Sequence, residues 1–91
     1  MQVLVVDDSQ IMRKIVTGAV NKAGCPDTVD ACDGREAIKI VSENPNIGLI
    51  LMDWNMPNMT GLEAIKRIRA DKNNVPIIMC TTEGEKTKVL E

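Results

Sequence analysis

The chain contains no histidine, no phenylalanine and no tyrosine, and Trp54 is its sole aromatic residue. Without histidine there is no imidazole general base, no Ser-His-Asp triad and no imidazole zinc ligand. Cysteine is scarce and unpatterned. Cys25, Cys32 and Cys80 are odd in number and include no C-x-x-C pair, so they do not make a four-ligand structural zinc site. Reduced, buried thiols of a cytoplasmic protein are the expected reading. No run of 18 apolar residues is present, so no membrane-spanning helix is expected. The first residues lack the basic, apolar and small-residue order of a secretory signal. A net charge of −2, from 11 basic and 13 acidic residues, argues against a nucleic-acid partner. The chemistry left to this chain rests on carboxylates, hydroxyls, lysines or a hard metal ion.

What is present is the balance of an ordinary soluble globule. The 91 residues are 44% hydrophobic and 26% charged, and residues 1–91 are expected to form one small domain. Short apolar runs alternate with longer helical periods. Val3-Leu4-Val5-Val6 reads as a strand covered on both faces and ends at Asp7-Asp8. Met12, Ile15, Val16, Ala19, Val20 and Ala23 recur at helical spacing, with Ser9 as N-cap and Gly24 as the stop. Thr28 to Ala31 alternates like an edge strand. Asp33 opens a second helix with Glu36 three residues on; Ala37, Ile38 and Val41 form its inner face, and Asn44-Pro45 ends it.

Leu49-Ile50-Leu51-Met52 is a second fully apolar strand and runs straight into Asp53. A loop from Trp54 to Met59 follows, and then the capping box Thr60-Gly61-Leu62-Glu63. In the third helix Leu62, Ile65 and Ile68 are expected to face inward, and Glu63 with Arg67 makes a favourable i,i+4 pair. Ile77 to Cys80 is a further apolar strand ending at Thr81-Thr82, and Glu83 to Glu91 reads as the start of a fourth helix. The order βαβαβαβ means an α/β sheet of parallel strands with helices on both faces. Ligands of such sheets sit outside the carboxyl ends of the strands.

That edge is where the acidic residues gather. Strand 1 ends in Asp7-Asp8, strand 3 in Asp53 and strand 4 in Thr81. A single Asp at a strand end is usually a turn former or a cap. Three at one sheet edge repel one another unless a cation sits among them, and oxygen-only donors suit Mg²⁺ or Mn²⁺. A metal-held carboxylate can act as a nucleophile toward phosphorus, giving an aspartyl phosphate. The residues by themselves leave open which Asp that is. A flavin- or nucleotide-binding reading fits less well. Its phosphate loop wants glycines or hydroxyls where this chain has two acids.

Val6-Asp7-Asp8-Ser9, the run from Met52 to Gly61, and Cys80-Thr81 together resemble the receiver domain of bacterial two-component response regulators. The Asp53-Trp54-Asn55-Met56-Pro57 segment is most similar to the chemotaxis CheY type, and the match covers the whole chain. The resemblance implies a flavodoxin-like, doubly wound parallel sheet with strand order 2-1-3-4-5. It implies a phosphoacceptor in signal transduction, not an enzyme acting on a separate substrate. Asp53 would accept the phosphoryl group from a histidine kinase. Asp8, Asp53 and the Asn55 backbone carbonyl would ligate Mg²⁺, and Asp7 would hold a metal-bound water. Thr81 would bind the phosphoryl group and signal its presence to an effector such as a flagellar switch or an output domain. Trp54, beside the nucleophile, reads equally as a partner contact or a cover over the loop. Pro57 and Gly61 shape that loop, Gly61 by plain backbone freedom.

The chain departs from the family pattern at its end. It carries four of five β/α units, and neither the family's fifth strand with its lysine nor the switch aromatic is expected. Lys86 and Lys88 fall in the would-be fourth helix and read as solvated surface. Strand 4 then becomes an exposed apolar edge, which points to a homo-oligomer completed by swapping or edge pairing. The alternative function is therefore an interaction or self-assembling module without efficient phosphotransfer.

Overall fold

An apolar strand can be buried on both faces only at the centre of a sheet with cover above and below. Strand β1 (Gln2–Val6) is such a strand, with Val3, Leu4, Val5 and Val6 all at most 1% exposed. The computed structural model describes residues 2–53, 60–71, 73–80 and 88–90. After β1 come α1 (Gln10–Lys22), β2 (Thr28–Ala31), α2 (Gly34–Glu43), β3 (Ile47–Asp53), α3 (Gly61–Ala70), β4 (Ile77–Cys80) and β5 (Lys88–Leu90). The sheet order is β2-β1-β3-β4-β5. β1 pairs in parallel with β2 and with β3, and β3 pairs in parallel with β4. Four parallel strands and three helices make the flavodoxin-like arrangement that the sequence implied, in incomplete form.

The helix starts follow from their caps. The Ser9 hydroxyl accepts from the Met12 amide, the Asp33 carboxylate from the Glu36 amide, and the Thr60 hydroxyl from the Glu63 amide. Gly24 takes a positive φ of 99° just beyond α1, a conformation that a side chain disfavours. The Asn44 side chain donates to the Ile40 carbonyl and closes α2 ahead of Pro45.

The chain moves from β1 to β2 on one side and then back across to β3 on the other. Right-handed crossovers therefore place α1 on one face of the sheet, and α2 and α3 on the opposite face. The α2/α3 side is closed. Leu4, Val6, Ile50, Met52, Ile77 and Met79 of the sheet pack with Ala37 and Val41 of α2 and Ala64, Ile65 and Ile68 of α3.

Several expectations are corrected. α1 buries none of its residues, so the inner face of Ile15, Val16, Ala19, Val20 and Ala23 is at best half-buried, and Ile15 is 58% exposed. The reason is that, among the described residues, α1 packs chiefly against β1 and β2, with no second helix beside it on that face. Leu62 points outward; the inner face of α3 is Gly61, Ala64, Ile65 and Ile68, the set that faces α2 and the sheet. The Glu63 carboxylate turns back to accept from the Thr60 hydroxyl, so its expected pair with Arg67 does not form.

The largest correction concerns the tail. Lys88, Val89 and Leu90 lie in a strand, not a helix, and this strand is antiparallel to β4, with Ile78 opposite Val89. A parallel crossover needs a dozen or more residues, and the segment between Cys80 and Lys88 is shorter than that. The apolar edge of β4 expected to stand open is thus paired by the chain itself. Lys86, by contrast, lies outside the described residues. The thiols also differ from expectation: Cys32 is exposed and Cys25 half-buried, and the Cys32 thiol donates to the Glu36 carboxylate, which pushes its pKa up.

Candidate functional site

Parallel pairing in register brings the carboxyl ends of β1 and β3 side by side. Val6 lies opposite Met52, so Asp7-Asp8 leaves β1 where Asp53 closes β3. One carboxylate oxygen from each of Asp7, Asp8 and Asp53 lies within 4.8 Å of the others. Asp53 is 4% and Asp7 6% exposed, whereas Asp8 faces solvent. Two unit charges at such a spacing repel by about 3 kcal/mol at an effective dielectric of ~20. A cluster with two buried members is therefore stable in charged form only when positive charge is nearby.

The protein supplies part of that compensation through Asp7. Its amide donates to the Ala31 carbonyl at 3.1 Å, which ties it to β2. Its carboxylate accepts from the Ser9 amide at 2.9 Å, and its backbone carbonyl accepts from Arg13 Nη1 at 2.7 Å. The Asp7 carboxyl nonetheless sits above the usual carboxylate range. Burial is the main cause; the Ser9 amide pulls the other way, and the negative charge of Asp8 pushes further up. Three carboxylates with oxygen donors only, two of them buried and one open to solvent, are a donor set for a small hard cation.

Asp53 is also in register with Cys80, the last residue of β4. The candidate switch residue Thr81 follows Cys80 and lies outside the described residues. So do Trp54, Asn55 and Pro57. Of the expected site, the structure brings together Asp7, Asp8 and Asp53.

Gly61 has a different role from the expected one. Its φ is ordinary, but a Cβ there would stand 2.5 Å from the Asp53 carbonyl oxygen and 2.5 Å from Met79 Cε. The first turn of α3 thus rests directly on the residue that closes β3, and only a hydrogen fits between them. Arg13 and Asp30 were also missed. Residue 13 falls one turn into a helix capped by Ser9, and helical side chains lean toward the N-terminus, so its position over the β1–α1 loop was readable in principle.

The pattern of the response regulator receiver domain family matches residues 3–91. The chain is 44% identical to a chemotaxis protein CheY homolog of Campylobacter jejuni over 92 residues, covering 99% of this chain and 71% of that protein. It is 42% identical to chemotaxis protein CheY1 of Helicobacter pylori, covering 99% of this chain and 74% of the relative. Among solved structures, response regulator TrrA of Thermotoga maritima in complex with Mg²⁺ and BeF superposes with a TM-score of 0.84 at 31% identity, over 91% of this chain and 70% of that one. Chemotaxis response regulator CheY4 of Vibrio cholerae gives a TM-score of 0.82 at 38% identity, over 92% and 70%. The chain belongs to the receiver domain family of response regulators. It is a CheY-type receiver of two-component signalling.

Two outcomes follow from this geometry. Gly61→Ala gains helix propensity of about 1 kcal/mol at most, but the clash with the Asp53 carbonyl and Met79 costs about 1–3 kcal/mol. A net loss of stability in urea unfolding is expected. The second outcome concerns pH. Folded Asp7 holds its proton more tightly than the unfolded chain does. Its contribution is therefore most favourable below the ordinary carboxylate pKa and is lost as pH rises through the raised one. Without divalent cation, Asp7→Asn should gain stability relative to the wild type as pH goes from about 4 to about 7, read as the difference between paired urea curves.

Proposed function

We propose that this receiver accepts a phosphoryl group on Asp53 from the phosphohistidine of a histidine kinase, with Mg²⁺ held by Asp8, Asp53 and the Asn55 backbone carbonyl. The observation that carries this reading is the convergence of Asp7, Asp8 and Asp53 at one sheet edge, with Asp53 buried at a strand terminus. A relative of the same fold is described in complex with Mg²⁺ and BeF, a phosphoryl mimic set. In the transfer, a carboxylate oxygen of Asp53 forms a bond to phosphorus as the phosphorus–nitrogen bond of the donor breaks. The electron pair returns to the imidazole nitrogen. Bound Mg²⁺ would supply charge neutralisation at the phosphoryl oxygens.

The chain's own residues do the positioning. β3 holds Asp53 at a fixed height, Gly61 sets the distance of α3 from it, and Asp7 faces it from β1 and would orient a cation-bound water. Thr81, following β4, would donate its hydroxyl to the phosphoryl group and report its arrival. Trp54, next in sequence to Asp53, would contact a partner. The acyl phosphate is a signal read by a downstream effector, such as a flagellar switch or an output domain, and the protein acts in the cytoplasm. Among the described residues no helix is long and apolar enough to cross a membrane.

A second reading is favoured by the thin face of the sheet. Ile11 is 72% and Ile15 58% exposed on α1, and Leu49, Leu51 and Ile78 are half-buried on the same side. In this reading a second copy covers that face, and the chain works chiefly as a self-assembling module.

Two measurements decide. Incubation with acetyl phosphate and Mg²⁺ should add the mass of one phosphoryl group to the wild type and none to Asp53→Asn. An unmodified wild type would leave only the second reading. Light scattering at micromolar concentration should give the mass of a dimer; a clean monomer removes the second reading.

A further inference from the structure

Arg13 belongs to none of the motifs on which the functional reading rests, yet it is bonded to the frame of the site. Its side chain is 16% exposed, far less than that of Asp30 at 57%. Its Nη1 donates to the Asp7 backbone carbonyl at 2.7 Å, and its Nε donates to Asp30 Oδ2 at 2.8 Å. Its own amide donates to the Ser9 carbonyl at 3.0 Å. One residue thus ties together the end of β1, the cap of α1 and the edge strand β2.

The carbonyl that Arg13 grips is part of the peptide joining Asp7 to Asp8. A planar peptide has no internal freedom, so fixing its carbonyl fixes the orientation from which both side chains set out. The Asp7 amide is held by Ala31 and its carboxylate by the Ser9 amide, and the Arg13 bond adds the restraint on the carbonyl of the Asp7–Asp8 peptide itself. We propose that Arg13, braced by Asp30, is a positioning residue for the cation site: it holds the Asp7–Asp8 peptide so that both carboxylates face Asp53 at a spacing suited to a divalent cation. The guanidinium is suited to the task because its donors lie in one rigid plane and reach two acceptors at once. A lysine at this position keeps the charge but offers a single ammonium, which cannot bridge the Asp7 carbonyl and Asp30 in the same way. This inference rests on the Mg²⁺ reading of the carboxylate cluster.

The test is a Mg²⁺ titration of the full chain, followed by fluorescence of the sole tryptophan and independently by the Mg²⁺-induced rise in melting temperature. The wild type, Arg13→Ala, Arg13→Lys, Asp30→Ala and the Arg13→Ala/Asp30→Ala double variant are compared. Partners that orient metal ligands are typically worth ten- to a hundredfold in metal affinity, so Arg13→Ala should raise the Mg²⁺ dissociation constant about tenfold. Arg13→Lys and Asp30→Ala should fall between it and the wild type, and the double variant should be no weaker than Arg13→Ala alone, because the two residues act as one unit. Asp30→Ala changes an exposed side chain and carries the test if Arg13→Ala does not fold. A brace that served stability alone would lower the melting temperature without Mg²⁺ and leave the dissociation constant unchanged; that result overturns the proposal. A wild type that binds no Mg²⁺ overturns the metal reading and this proposal together. A wild type that binds, with variants that bind equally well, overturns this proposal alone.

Discussion

Two carboxylates that are hardly exposed, Asp7 and Asp53, stand at the ends of neighbouring strands, and keeping them buried side by side is the constraint that the rest of the molecule meets. Placing them there is unfavourable because burial removes water from the charged groups, and burial is also the main cause that raises the Asp7 pKa. What holds them in place is the apolar body of β1 and β3 beneath them. Val3 to Val6, Ile50 and Met52 are almost wholly buried, and shifting β3 by one residue would exchange its buried Ile50 and Met52 for the half-buried Leu49 and Leu51. The core therefore fixes the register, and the register fixes the carboxylates. Local polar contacts then refine the result, from the Ser9 amide on the Asp7 carboxylate to the Arg13 guanidinium on its carbonyl.

The two faces of the sheet differ in how firmly they support this edge. On one side α2 and α3 close a continuous core, and α3 presses its first turn against the Asp53 carbonyl through Gly61. On the other side α1 is the one helix among the described residues, with Ile11 and Ile15 turned largely to solvent. The α1 side is linked to the site by directional bonds more than by deep packing: the Ser9 cap and the Arg13 bridge. A displacement of α1 would therefore act on Asp7 and Asp8, whereas a displacement of α3 would act on Asp53. The carboxylate cluster lies where these two supports meet.

Much of this was legible along the chain because the relevant signals are local. Ser9, Asp33 and Thr60 cap the helices they precede, since a cap bonds to an amide only three residues away. The apolar runs ending in Asp7-Asp8 and Asp53 announced strands with acids at their carboxyl ends, and parallel pairing made their convergence a matter of topology. The tail was misread because a charged segment with a few apolar residues satisfies a helical period as readily as a strand. Its partner, β4, decides between them, and the short connection forces the antiparallel sense. Leu62 was misplaced for a similar reason. The spacing allowed two inner faces, and the position of α2 selected the one with Gly61 and Ala64.

The sequence by itself determined the order of elements from β1 to β4, the helix caps, the family and the identity of the three acids, because each is written in adjacent residues or in a short period. The tertiary structure decided what depends on distances between residues far apart in the chain. It showed that the face behind α1 is thin, that Gly61 is required by a 2.5 Å approach to Asp53 and not by its φ, and that Arg13 reaches from α1 to both Asp7 and Asp30. A steric contact or a two-armed bridge has no signature in composition or periodicity. It exists only once the strands have set the separation between its ends.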